Sequence, residues 1–403
     1  MIVIYVDNFD RATFFYRLAK GIKGKSFLFY TTKYSVYRFL KKDFEVFLFN
    51  ENEKQANNCN DMPPETDFSN LTYVYRGSQS VAHAKKVYTM IRDRLALTQL
   101  NYQEVEVAIV FNGNSASQKA FIDHFSNKNV KTLFCEISNL PGKVIFDRLG
   151  VNAKSSLFFD AKKLDTFDPV DVEEHQRWVK VYENYKNNPI PQGKLEPKFI
   201  KAYVLDYFSS LLGRGTREED KISLIKKITS VLTLFKSKSS SDLTFDDADL
   251  SCDYIFFPTQ VRYDSQLILN SDINNQQAIE KAVALAKERN CMLYVKIHPA
   301  ETDPEILRDY VLLKEKYDFL IVNSNTTELI KQAKVVVTIN STVGLEALIY
   351  NKELKVYGRA IYSDFDFSRV LSYIHNHLVD FDYFSDELIS EKEFNKLLAL
   401  ASK

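Results

Sequence analysis

Val335–Lys352 reads VVVTINSTVGLEALIYNK. A branched apolar run through Ile339 gives way to Asn340-Ser341-Thr342 and then, from Val343, to a stretch of helical composition, so the segment reads as strand, turn and helix. Ser341 or Thr342 supplies the oxygen that caps the helix. Unpaired backbone N–H groups and the helix dipole converge on that turn, which makes it a place for an anion. Glu346 follows Thr342 by one helical turn and is placed to accept from ribose hydroxyls; an ordinary N-cap with a capping-type carboxylate is the alternative reading.

The same rhythm extends outward on both sides. Strands are expected at Tyr254–Phe257, Met292–Ile297, Phe319–Val322 and Lys355–Val356, with helices at Asn275–Arg289, Ile306–Lys316 and Val343–Tyr350. Near the start of the chain, Ile2–Val6, Ser26–Tyr30, Val46–Asn50, Val105–Phe111 and Lys131–Cys135 read as strands, with helices at Ser80–Leu97 and Ser117–Ser126. Alternation of this kind is the pattern of parallel α/β sheets. Between the two blocks, Pro169–Lys186, Pro197–Leu212 and Glu218–Leu234 carry helical periodicity, and KSKSSSD at 236–242 resembles a linker. The expected fold is α/β and GT-B-like: two Rossmann-type doubly wound domains facing across a cleft, with a helical bridge. The divisions are 1–153, a bridge over 154–250, a second α/β domain over 251–370 and C-terminal helices over 371–403. Within the last, Tyr383–Lys403 is expected to form an amphipathic packing helix.

Composition narrows the function classes. The 403 residues hold 53 Lys+Arg and 53 Asp+Glu, a net charge of zero, which argues against a basic nucleic-acid binder. Residues 1–150 carry 20 Lys+Arg against 15 Asp+Glu, an excess that permits an anionic acceptor or membrane surface facing this half. Cys59, Cys135, Cys252 and Cys291 are too far apart for a zinc motif or a disulfide framework, which fits a reducing cytoplasm. MIVIYVDNFDRATFF lacks the positive leader of a signal peptide and reads as a first strand. The most apolar stretch, Tyr203–Leu212, contains Asp206 and two serines and is too polar to span a bilayer. His375 and His377 form an HxH whose members point apart on a helix, so no metal site is read there.

Three further segments carry chemistry. In YVKIHPAETDP, 294–304, a strand ends at His298-Pro299; the proline holds His298 extended and places an imidazole at a strand's carboxyl end, to bind phosphate or protonate a leaving oxygen. In YIFFPTQVRYDSQLI, 254–268, a strand runs into Gln260, Arg262, Asp264 and Gln266, and Asp264 is either a nucleophile or general base or a helix-capping residue. At 134–157, Glu136 ends a strand at the first domain's cleft edge, where a carboxylate acts as acid or base or simply stands in water. Asn112-Gly113-Asn114 is a turn at the same edge. Lys296, Arg262 and Arg359 are the cations available to an anion at these edges.

Four blocks occur in order: Glu136…Leu140-Pro141-Gly142…Asp147…Gly150-Val151-Asn152, Gln260…Asp264-Ser265-Gln266, His298-Pro299, and Asn340-Ser341-Thr342…Gly344-Leu345-Glu346-Ala347. Together they resemble the retaining β-Kdo glycosyltransferases of bacterial capsule and lipopolysaccharide assembly, grouped with capsule polysaccharide biosynthesis proteins. The resemblance covers about 130–365. It implies transfer of Kdo, an acidic eight-carbon sugar, from CMP-β-Kdo to a glycan or glycolipid acceptor with retention, without a divalent metal or other cofactor. It implies that Gln260, Lys296, His298, Pro299, Asn340, Ser341 and Thr342 surround the CMP moiety and that Glu346 takes the ribose. Asp264 would be the nucleophile and Glu136 the acid/base group, with His298 assisting at the phosphate. A cytoplasmic enzyme, peripheral at the inner membrane or beside the polysaccharide export machinery, is the implied setting. The alternatives are a CMP-sialic acid transferase, which shares the HP and serine motifs, a non-catalytic glycan- or nucleotide-sugar-binding partner of an assembly complex, and an epimerase with a UDP-sugar cleft.

Overall fold

The computed structural model describes residues 1–51, 67–138, 140–187, 197–220 and 243–402. Their strands are β1 (Ile2–Val6), β2 (Phe27–Thr31), β3 (Glu45–Leu48), β4 (Val107–Phe111), β5 (Thr132–Ile137), β6 (Lys143–Asp147), β7 (Tyr254–Pro258), β8 (Met292–Lys296), β9 (Leu320–Ile321), β10 (Val335–Thr338), β11 (Glu353–Val356) and β12 (Val379–Asp380). They form two sheets, one in each of two compact units. The first unit is assembled from Met1–Ser156, a segment beginning at Lys180 and the stretch from Leu378 onward; the second comprises Leu157–Val179 and a segment ending at His377.

The first sheet has the order β12-β6-β5-β4-β1-β2-β3. β1 through β5 are parallel and follow the Rossmann order, with the topological switch between β1 and β4. Every residue of β1 is buried, because both faces are covered: Ile2, Ile4 and Val6 belong to one core, Val3 and Tyr5 to the other. The last two strands depart from the parallel expectation. Pro141-Gly142, with Gly142 at φ +69°, reverses the chain within a few residues, and β6 returns antiparallel to β5. β12 then adds antiparallel to β6. The C-terminal helix Glu391–Leu400 places Phe394, Leu397 and Leu400 in the same core as Ile2 and Phe14, whereas Leu388 is exposed.

The second sheet, β11-β10-β7-β8-β9, is wholly parallel and repeats the Rossmann order, with its switch between β10 and β7. Alternation again divides each strand between two cores: Ile255 and Phe257 lie on one face, Tyr254 and Phe256 on the other. Helix Asn275–Arg289 has the expected bounds, since Asn274 and Gln277 close a capping box at its start and Asn290 turns left-handed, at φ +50°, at its end. Two Rossmann-type units thus realise the α/β expectation.

Of the helices expected in the bridge, two are present, at Val172–Asn187 and Pro197–Leu211. Glu218–Asp220 are not helical, so the helix expected from Glu218 does not begin there; its remainder and the KSKSSSD stretch lie outside the described residues. Among the described residues no helix is long and apolar enough to cross a membrane.

Candidate active site

In the second unit the carboxyl ends of three neighbouring strands, β10, β7 and β8, carry Asn340-Ser341, Thr259-Gln260 and His298. Buried hydrogen bonds lash the switch point together. Gln260 Nε2 donates to Asn340 Oδ1 at 2.9 Å, and Asn340 N donates to Gln260 Oε1 at 3.1 Å. Asn340 Nδ2 reaches the carbonyls of Gln266 at 2.8 Å and Asn270 at 3.1 Å, while Asn275 exchanges bonds with the Gln260 backbone at 3.0 and 2.6 Å. Gln260 and Asn340 are therefore spent on one another and on loop backbone: they shape the crevice.

What the crevice presents comes from their neighbours. Ser341 is the N-cap of helix Thr342–Ile349, its Oγ accepting from Val343 N at 3.3 Å. The Tyr362 hydroxyl donates to the Ser341 carbonyl, and its ring fills the space beside Gly344, where a Cβ would lie 2.5 Å from the ring. On β8, His298 N donates to Thr259 Oγ1 at 2.9 Å, which ties the HP turn to the end of β7. His298 Nδ1 accepts from Ala300 N at 3.1 Å, so the neutral imidazole carries its proton on Nε2 as a donor. The ring and Pro299 are exposed.

The remaining expected residues are placed as follows. Asp264 caps helix Ser265–Asn270, Oδ1 accepting from Gln266 N at 2.8 Å, one helical stretch from the Asn340 bonds. Lys296 Nζ donates to the Ser324 carbonyl at 2.6 Å, and burial draws its pKa below the ordinary lysine range. Thr342 is half-buried at the helix start. Glu346 is 3% exposed, inside that helix and electrostatically coupled to Tyr362, so it does not stand open to solvent. Arg262 is ion-paired with Asp303, and Arg359 with Asp272 at 2.7 Å. The structure thus brings Gln260, Asp264, His298, Asn340, Ser341 and Thr342 into one neighbourhood.

Glu136 belongs to the first unit, near the end of β5. Its Oε2 accepts from Asn152 Nδ2 at 2.9 Å, and Asn152 holds a left-handed backbone, φ +55°. Burial pushes the Glu136 carboxyl up to about 7, against the opposing pull of Arg11 and the Asn152 bond. In the same unit Asn112, Gly113, Phe134, Gly150, Lys119 and Lys154 line a cavity of about 390 Å³ whose wall does not include Glu136. Sequence reasoning missed the group at the β1 end: Arg11 is ion-paired with Asp7 and lies 4.0 Å from the Phe111 ring centroid, and Gln118 Nε2 bonds Asp7 Oδ2 at 3.2 Å. The one available signal was a polar Asp7 ending an apolar strand with Arg11 four residues on. Thr259 and Tyr362 left no signal of their own.

Residues 108–372 match the model of the family described as capsule polysaccharide biosynthesis protein. The chain belongs to that family. Among capsule polysaccharide biosynthesis proteins and their relatives, it is similar to Protein FixF of Sinorhizobium fredii, 24% identical over 272 residues, covering 66% of this chain and 52% of FixF. It is similar also to the capsule polysaccharide export protein KpsS of Escherichia coli, 34% identical over 119 residues, covering 27% of this chain and 31% of KpsS. The matches thus span about half and about a third of those relatives' lengths. Among solved structures it is similar to Thermosulfurimonas dismutans KpsC, beta Kdo 2,7 transferase, with 16% identity and a TM-score of 0.39 over 77% of this chain and 89% of that one.

Proposed function

We propose that this member of the capsule polysaccharide biosynthesis family is a retaining β-Kdo glycosyltransferase that moves Kdo from CMP-β-Kdo to a saccharide or lipid acceptor. The observation that carries the reading is the crevice at β10, β7 and β8, where a capped helix start after β10 and an exposed histidine after β8, each offering N–H groups, flank the end of β7. Such a pair of donors suits a phosphodiester. In the first displacement the free oxygen of Asp264 attacks the anomeric carbon as the bond to the CMP phosphate breaks, with the Ser341–Val343 helix start and His298 stabilising the departing charge. CMP leaves and a glycosyl-Asp264 ester remains. In the second, Glu136 takes the proton of the acceptor hydroxyl, whose oxygen attacks the same carbon and releases Asp264. Two inversions give net retention. No metal or other cofactor enters either step. The cavity lined by Asn112, Gly113 and Phe134 receives the acceptor, at the cytoplasmic face of the inner membrane.

CMP, UDP, GDP and ADP compared by thermal shift test the donor. A ligand at 100 times its dissociation constant stabilises by about 2.7 kcal/mol, and only CMP is expected to do so. A shift with UDP alone overturns the Kdo reading, and no shift with any nucleotide favours a non-catalytic partner. Glu136→Gln incubated with CMP-β-Kdo is expected to gain the mass of one Kdo, held on Asp264, because the second displacement has lost its base. Double variants at both carboxylates should show no adduct.

A further inference from the structure

Helix Pro197–Leu211, in the first unit, is turned inside out. A helix on the surface of a folded domain ordinarily sends its apolar stripe to the core and its polar face to water. Here the inward residues are Ala202, Ser209 and Ser210, all buried, together with Asp206, whose carboxylate accepts from Ser35 N at 2.7 Å and from Ser35 Oγ at 2.6 Å. Phe199 meets Phe9 at 6.3 Å between ring centroids, and the helix is seated against helices Phe9–Lys20 and Tyr34–Leu40 of the same unit. The outward face is the apolar one. Ile200, Val204, Phe208 and Leu211 recur at the spacing of a single stripe, with Leu212 just beyond, and they are 50, 46, 59, 55 and 74% exposed. The stripe runs about 16 Å along the helix axis. A contiguous apolar patch left in water marks a surface made for contact.

The charges around the stripe decide what covers it. Lys198 and Lys201 lie on the helix itself, Arg38, Lys41 and Lys42 on the neighbouring helix and its end, and Arg214 on the turn that follows; all six are exposed. Arg214 lies 5.7 Å from the Tyr34 ring centroid, which joins that turn to the neighbouring helix. Asp206 is the one acidic residue between Pro197 and Arg214 and it is held by Ser35, while residues 33–42 contain no acid. We propose that helix Pro197–Leu211 is the face through which the first unit docks on an anionic phospholipid surface, lying in the interface without crossing it. There the apolar side chains enter the acyl boundary, and the lysine and arginine heads reach the phosphates. A second copy of this chain would bring the same cations face to face, which opposes self-association through this surface. The inference goes beyond the proposed reaction and does not depend on the donor or on the roles of Asp264 and Glu136.

The test is co-sedimentation of the full chain with vesicles of phosphatidylethanolamine containing phosphatidylglycerol, beside vesicles of phosphatidylcholine alone. Wild type is expected to pellet with the anionic vesicles, to stay in solution with the neutral ones, and to be released by high salt. Phe208→Glu and Leu212→Glu each withdraw a large apolar side chain from the bilayer boundary and add a negative charge, so each should weaken partitioning about tenfold or more. Both positions are exposed, and the melting temperature without lipid should match wild type. Lys201→Gln should weaken binding at low salt and make it less salt-dependent.

If Phe208→Glu does not fold, Phe208→Trp carries the test instead: its emission should shift to the blue when anionic vesicles are added, beyond any change that Trp178 shows in wild type. Wild type that stays in solution with both kinds of vesicle overturns the inference. So does binding that Phe208→Glu and Leu212→Glu leave unchanged. Equal binding to neutral vesicles overturns the assignment to anionic lipid. A wild-type dimer in sedimentation equilibrium that Leu212→Glu converts to monomer places a second copy on the stripe and overturns the lipid reading.

Discussion

Asp264 caps a helix and is the proposed nucleophile, two roles that substitution can separate. As an N-cap it needs only one oxygen to accept from Gln266 N, and asparagine caps as well as aspartate. Asp264→Asn is therefore expected to leave the melting temperature within a degree or two of wild type while abolishing Kdo transfer. Asp264→Ala removes the cap as well and should cost about 1 kcal/mol. Both are measured by calorimetry beside a CMP-release assay, and an active Asp264→Asn rules out the nucleophile. At this scale the sequence revealed what is local. The imidazole at His298-Pro299 and the hydroxyl at Ser341 each follow from a strand end read within a few residues. Gln260 and Asn340 were legible as polar crevice residues, but not as partners of one another, because the bond between them joins loops 80 residues apart. Glu136 was legible as a carboxylate at a strand end, whereas the Arg11–Asp7–Gln118 group was not, because only the order of β1 and β4 brings Gln118 to Asp7.

Among elements, the parallel strands and the longer helices were legible because periodicity repeats along them. The β5–β6 hairpin was not: Lys143–Asp147 is short, fully buried and lacks the alternation that marks a strand with one wet face. One packing arrangement in the second unit carries a pH dependence. His175, on the helix that starts at Val172, offers Nε2 to the Ile349 carbonyl at 3.2 Å, which leaves Nδ1 to accept from His375 Nε2 at 3.2 Å. Burial holds its pKa below the ordinary histidine value. Below about pH 6.5 the unfolded chain takes up a proton that the folded His175 refuses, so this contribution is complete above that pH and is lost as the pH falls. Trp178, the single tryptophan, stacks on His175 at 5.7 Å. Its fluorescence should stay level from pH 8 to 6.5 and change on further acidification, with a lower melting temperature at pH 5.5 than at 7.5. A flat emission profile to pH 4.5 contradicts the arrangement.

For the whole molecule, the two-block reading captured the Rossmann character of both units and missed the route of the chain. The last residues return to the first sheet: β12 pairs with β6, Lys143 is ion-paired with Asp380, and Arg17 donates to the carbonyls of Asp382, Tyr383 and Glu387 at 3.0, 2.6 and 2.9 Å. Nothing in composition announces a pairing across more than 200 residues. Phe381, Tyr383, Ile389, Phe394, Leu397 and Leu400 are all buried there, and each large apolar side chain is worth about 1.5–3 kcal/mol, a sum comparable with the 5–15 kcal/mol that holds a typical domain together. A chain ending at His377 is expected to lose the first unit's calorimetric transition and become protease-sensitive through residues 1–156, with the transition of the second unit retained. Two unchanged transitions would refute this.

The discontinuity also sets a timetable for synthesis. A ribosome finishes every parallel strand of the first sheet early, yet the piece that covers β6 emerges after the entire second unit has been made. During that interval the nascent chain carries an unpaired strand edge and an uncovered patch around Phe14 and Val144, the kind of surface that recruits chaperones or a second nascent chain. The second sheet, continuous in sequence, meets no such delay, so the nucleotide half of the proposed enzyme matures before the half that holds Glu136.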